Sequence, residues 1–161
     1  MFREMRRNKQ SLPKEECIEI LKKGTSGVLA LSGDDGYPYA VPISYVLVGS
    51  RLCFHSARNG HKIEAIRKNE KASFCVIAQD QIVPEKYTTC YKSVIAFGRI
   101  RILENETDAR KAAEALAVKY YPEDTEENRQ ETISREWNAL YMIELSIEHL
   151  SGKQCIELVR A

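Results

Sequence analysis

From Thr88 to Leu103 the chain alternates with a period of two over most of its length. Val94, Ala96, Gly98, Ile100 and Ile102 fall on one face, and Ser93, Ile95, Phe97, Arg99 and Arg101 on the other. A helical period does not fit this pattern, so the segment is a strand, and a long one for a globular chain. From Val94 to Ile102 its first face is apolar. The second changes from apolar to charged, which predicts that the strand leaves the core it encloses and extends into a second environment.

The rest of the sequence supplies antiparallel neighbours. Gly27 to Ser32 reads as a strand, and Asp34-Asp35-Gly36 has hairpin-turn chemistry. A second strand runs from Pro38 to Val48. Gly49-Ser50 turns it into a third, Arg51 to Ser56, completing a meander. Ala72 to Ala78 is the fourth strand, and a loop containing Pro84 leads into the long one. The last strands are Ala139 to Leu150 and Gln154 to Val159, joined at Ser151-Gly152-Lys153. Ser11 caps a first helix with Pro13 in its first turn, and Gly24 ends it. A short helix from His61 to about Lys68 buries Ile63 and Ile66. A helix from Asp108 to Tyr121 buries an alanine-rich side and stops at Pro122. Glu126 to Arg135 is another. Six or seven strands with few, short helices predict a mainly β fold, a small antiparallel barrel decorated by helices. At 161 residues, with no repeats or linkers, residues 1–161 make one domain.

The formal charge is +1, which leaves no electrostatic footprint for nucleic acid. No apolar run approaches the roughly 20 residues of a membrane span, and no signal-peptide pattern opens the chain. The five cysteines are odd in number and lack a Cys-x-x-Cys motif, so a reducing cytoplasm is expected. Neither they nor the three histidines cluster at zinc-ligand spacing, so no metal site is expected. Nucleophile-elbow, zinc-protease, Walker and dinucleotide-binding motifs are all missing.

Chemistry concentrates in Leu52 to Ile66. An apolar strand runs into His55 and Ser56, then Gly60, then His61 and Lys62 opening a short helix. Gly60 permits close backbone approach. Free amides at a helix start favour an anion, Lys62 adds a full charge and Ser56 a hydroxyl. The arrangement suits a phosphate. By itself it also fits a surface turn with a solvated lysine.

Other motifs decide between these. Val41-Pro42-Ile43-Ser44-Tyr45 comes first, followed by Phe54-His55-Ser56-Ala57 with Gly60-His61-Lys62. Ala72-Ser73-Phe74-Cys75-Val76, Val83-Pro84-Glu85-Lys86-Tyr87-Thr88-Thr89 and Ser93-Val94-Ile95-Ala96-Phe97-Gly98 come next, in that order. The set resembles the FMN-binding split-barrel family related to pyridoxamine 5′-phosphate oxidase, and within it the 5-nitroimidazole resistance branch. The resemblance implies a six- or seven-stranded split β-barrel and FMN as cofactor. It also implies a homodimer with flavin at its interface and a small-molecule electron acceptor or donor. His61 and Lys62 match the basic pair that holds the FMN phosphate. His55 and Ser56 match an aromatic-hydroxyl pair on the same strand, and Val41, Pro42, Ile43 and Ser44 match the strand beside the isoalloxazine ring. Ser93 matches a polar position that reaches the flavin from the partner subunit, with Tyr91 and Thr89 beside it. No catalytic residue is assigned; His55 is the candidate.

Two departures stand out. The oxidase branch has an arginine and a lysine near Val41 and Val46, where this chain is apolar. Late in the chain, Ile147 to Lys153 offers only His149 and Lys153 to hold a phosphorylated B6 substrate. The resemblance therefore implies FMN binding without the oxidase activity. The readings are an FMN-dependent reductase of small electrophiles, such as nitroimidazoles, or a flavin protein for storage, electron relay or sensing. A pyridoxamine phosphate oxidase, or a relative binding haem or F420, ranks below both.

Overall fold

The computed structural model describes residues 1–161. The first helix, α1, is Lys14–Lys23, and its end is marked by the Gly24 amide bonding to Ile20. Pro13, not Ser11, stands at its N-cap. Ser11 lies too early to reach the first turn and instead bridges to Lys153. Strand β1 is Ser26–Ser32, and β2 is Pro38–Ser44. Between them Asp35 and Gly36 both take positive φ, as the turn chemistry requires.

The expected second strand is broken at Tyr45. Its last residues form a separate strand β3, Val46–Val48, which pairs with β4, Arg51–Ala57. The cause is tertiary. The Tyr45 side chain is fully buried, its hydroxyl donates to the Leu21 carbonyl at 2.6 Å, and its ring meets Phe74 edge-on at 4.8 Å. Helix α2 follows, His61–Lys68, with Ile63, Ala65 and Ile66 buried. Strand β5, Lys71–Val83, runs five residues beyond the expected end at Ala78, with a register shift between Ile77 and Gln79. Tyr87, in the left-handed region, turns the chain into β6, Thr88–Ile102. Asn105 caps α3, Glu106–Tyr120, by accepting from the Asp108 amide, and Thr125 caps α4, Glu126–Glu136.

The last two expected strands are one strand, β7, Leu140–Gln154, followed by a short helix, α5, Ile156–Val159. Ser151-Gly152-Lys153 is therefore no hairpin, and His149 pairs with Phe97 inside the ladder, not at a turn. Gly152 serves packing. A Cβ there would stand 2.3 Å from the Cys17 sulfur and 2.9 Å from Leu12, so only glycine lets α1 approach this closely.

All seven strands join one antiparallel sheet in the order β2-β1-β5-β6-β7-β4-β3. The two edges, β2 and β3, are consecutive in sequence and joined through Tyr45. The sheet therefore curls into a split barrel, which replaces the expected meander. One core lies inside it, with Leu29, Leu52, Phe54, Phe74, Val94, Ile143 and Leu145. A second lies between the outer face and the α3–α4 pair, with Val46, Cys53, Ala112, Leu116, Ile133 and Met142. The charged end of β6 does not enter a second environment. Arg101 pairs with the buried carboxylate of Glu144, which Arg51 also holds, and Arg99 pairs with Glu70 and Glu148.

Candidate functional site

The alternation of β4 decides where its polar end residues go. Leu52, Phe54 and Ser56 point into the barrel, whereas Cys53 and His55 point outward. His55 and Ser56, adjacent in sequence, thus lie on opposite faces.

Ser56 is 7% exposed and meets Lys62 from the first turn of α2: the Lys62 ammonium donates to the Ser56 hydroxyl at 3.3 Å. Gly60, at φ 114°, swings the chain from β4 into α2, a conformation that L side chains rarely adopt. No carboxylate answers Lys62, and burial pushes its ammonium below the usual lysine range. A half-buried cation and a hydroxyl thus meet beside the start of α2, whose first amides have no side-chain cap, and groups of this kind suit an anion with several acceptor oxygens.

His61 goes elsewhere. Its ring stacks on Tyr39 at 4.0 Å, and its Nε2 lies 3.8 Å from Asp34, which also pairs with Lys68. The sequence pair His61-Lys62 is therefore divided between the β1–β2 turn and the Ser56 hydroxyl.

On the outer face, His55 and Ser44 open onto one apolar hollow of about 330 Å³. Its walls come from Ala113, Leu116, Ala117 and Tyr120 of α3, Ile133 of α4, and Met142 of β7. These wall residues are absent from the sequence-derived site, because the alanine-rich stripe of α3 reads from sequence as ordinary core. Val41 and Ile43 pack toward the interior core, whereas Pro42 is exposed. Their strand β2 is a sheet edge, so part of its amides and carbonyls face away from the ladder.

Thr89, Tyr91 and Ser93 belong to a different region. They face outward on β6 and pair with Ile82, Asp80 and Ile77. Ser93 lies opposite Lys153 on β7, and Ser56 lies opposite Tyr141 on the same strand. Those positions are separated by on the order of 40 Å of strand path. The chain does not bring Ser93 to its own Lys62. A cleft of about 930 Å³ lies beside α2 and the start of α3 and carries charges of both signs. Within it Arg58 donates to the Leu140 and Trp137 carbonyls and Arg101 to Glu144, so these two cations are already engaged.

With this geometry in view, the likenesses to known proteins are informative. The family model described as pyridoxamine 5′-phosphate oxidase matches residues 13–154. A curated relative from Rhizobium meliloti (strain 1021), an uncharacterized protein, is 37% identical over 93 residues. That match spans 57% of this chain and 56% of the relative. Among solved structures, a candidate 5-nitroimidazole antibiotic resistance protein of Bacteroides thetaiotaomicron VPI-5482 superposes with a TM-score of 0.75 at 17% identity. It covers 89% of this chain and 85% of its own. The FAD and haem binding protein of Mycobacterium smegmatis has a TM-score of 0.74 at 23% identity, covering 92% and 74%. An FAD-binding protein of Mesorhizobium loti has 0.64 at 24%, covering 90% and 95%. At such identities the structural likeness speaks for the fold. The family match spans nearly the whole chain, and by it this protein belongs to the pyridoxamine 5′-phosphate oxidase family.

Proposed function

We propose that this protein binds FMN and uses it to reduce small electrophilic compounds, nitro-aromatic rings among them. One observation carries the reading: Lys62 is a half-buried cation with no carboxylate partner, held against Ser56 at the start of α2. It fits the terminal phosphate of the cofactor. The outer-face hollow beside Ser44 and His55 is apolar but lies across the sheet from Ser56, so the ring of the same flavin is not assigned to it. Flavins are bound by similar folds, since two of the solved relatives are named for FAD.

When bound, the flavin supplies the electron-transfer chemistry. The chain's own work is to bind and orient it. Lys62 and Ser56 hold the phosphate, and the free edge of β2 offers amides to the polar rim of the ring. His55, the catalytic candidate by resemblance, faces the α3 hollow across the sheet from Ser56, so no proton-transfer role at this flavin is assigned to it. The arginine and lysine of the oxidase branch are missing near Val41 and Val46, so a phosphorylated B6 substrate lacks its anchor.

A homodimer completes this reading. Ile77 and Ile82 are each 66% exposed on β5, and Tyr87 is fully exposed at the hairpin tip. Covering these apolar side chains with a second copy carries Thr89, Tyr91 and Ser93 to the partner's flavin. The test is anaerobic. Photoreduced holoprotein is mixed with a nitroimidazole, and reoxidation is followed at the flavin absorbance. Stoichiometric reoxidation with repeated turnover supports a reductase. Tight FMN binding without reoxidation leaves a storage or relay protein, and failure to bind FMN removes the reading altogether.

A further inference from the structure

Cys90 and Cys155 are far apart in sequence and fit no metal-binding motif, yet the fold brings them together with Glu157. The two sulfurs and a carboxylate oxygen all lie within 4.8 Å of one another. We propose that Cys90, Cys155 and Glu157 form a binding site for a thiophilic divalent cation of the zinc class, with three protein ligands and a fourth position open to solvent.

The backbone enforces the convergence. Lys92 and Gln154 are the last paired residues of the β6–β7 ladder, and the Cys155 amide extends it by donating to the Tyr91 carbonyl at 3.0 Å. Cys155 is thereby set beside Cys90, the next residue of β6. Helix α5 begins immediately afterwards and turns Glu157 back toward the sulfurs. Cys155 is 2% exposed, whereas Cys90 and Glu157 are half-buried, so an ion would be anchored on one side and reachable from the other.

The distances suit a tetrahedral ion. Bonds of about 2.0–2.3 Å place ligand atoms roughly 3.3–3.8 Å apart. The cluster needs closing by only about an ångström, within reach of side-chain rotation at Cys90 and Glu157. The ligand chemistry narrows the ion. Two thiolates favour a soft or borderline metal, and a carboxylate oxygen favours a dication such as Zn²⁺ over Cu⁺. Three protein ligands with an open position match zinc sites that keep a water or an exogenous ligand. A disulfide would use only the two sulfurs, and both cysteines are free. Glu157 takes part in none of the chain's ion pairs, so its carboxylate remains available. The site lies at the opposite end of β7 from Ser56 and Lys62 of the same chain, and none of its three ligands is among the residues that would hold the flavin.

The test uses the full-length, reduced protein with its native cofactor content. After chelator treatment and desalting, Co²⁺ is titrated in without oxygen and the long-wavelength ligand-field bands of tetrahedral cobalt are read. Zn²⁺ is then measured by competition with a chromophoric chelator. One ion per chain is expected, with tetrahedral bands that Zn²⁺ abolishes. Cys90→Ser should weaken affinity by at least tenfold, and Glu157→Gln by a smaller factor. Cys75→Ser, a cysteine outside the cluster, should leave affinity unchanged. Since Cys155 is buried, the two half-buried positions carry the test, with circular dichroism confirming the fold of each variant. Three results would overturn the proposal. They are no stoichiometric uptake by the reduced protein, uptake unchanged by Cys90→Ser, and loss of two titratable thiols to a disulfide without any metal affinity in the reduced form.

Discussion

Lys62→Ala separates the phosphate role of this lysine from any structural one. The Lys62 ammonium has one hydrogen-bond partner, Ser56, and no ion pair, so truncation leaves no buried charge behind. The lost ammonium–hydroxyl contact is charge-assisted but long at 3.3 Å, and costs about 1.5 kcal/mol, the low end of the range for such bonds. Against this, burial holds the Lys62 pKa below its usual range, so the folded chain tolerates this cation less well than the unfolded chain does. With a depressed lysine pKa, the unfolded state binds more protons between the folded and unfolded values. Stability therefore rises with pH across that window, and at neutral pH the full penalty is present. Removing the cation relieves that penalty, so the apo variant should melt within a few degrees of wild type. Binding is affected differently. A charge-assisted phosphate contact contributes about 1.5–3 kcal/mol, so FMN affinity should fall roughly tenfold to a hundredfold. Riboflavin lacks the phosphate, and its affinity should change little. The assay is fluorescence titration of apo wild type and variant with both ligands, beside a thermal melt. In wild type, FMN affinity should also fall at alkaline pH, below the ordinary lysine value of about 10.4, and the variant should lack that step. An FMN-to-riboflavin preference unchanged by Lys62→Ala would refute the reasoning, whatever the melting temperature.

Three further perturbations follow from the fold. Gly152→Ala places a Cβ against Cys17 and Leu12, and chemical denaturation should show a loss of about 1–3 kcal/mol. Tyr45→Phe removes the only side-chain donor to the Leu21 carbonyl at the β2–β3 break and should cost about 1–2 kcal/mol; equal denaturation midpoints would make the hydroxyl dispensable. Ile77→Glu with Ile82→Glu charges the exposed β5 face. Light scattering should then report a monomer with weakened FMN binding, and an unchanged dimer would move the interface elsewhere.

Local physics was legible in the chain. Helix α2 spans His61–Lys68, as the Gly60 start and the Ile63–Ile66 spacing indicate. The inward face of β6 is the apolar one because alternation is a property of the backbone itself. The same alternation puts His55 and Ser56 on opposite faces, although the two are adjacent in one motif. Other features depend on distant partners. Nothing near Tyr45 in sequence announces a break, since its cause is the Leu21 carbonyl and the Phe74 ring. Ser151-Gly152-Lys153 has turn composition, but Gly152 is needed for the approach of α1 to β7, so one strand crosses the segment. Cys90, Cys155 and Glu157 meet only because the β6–β7 ladder sets both cysteines side by side. Composition and period act between neighbours along the chain, so sequence carries them. Strand breaks, close packing and convergent side chains arise between segments far apart in sequence, and only the folded structure decided them.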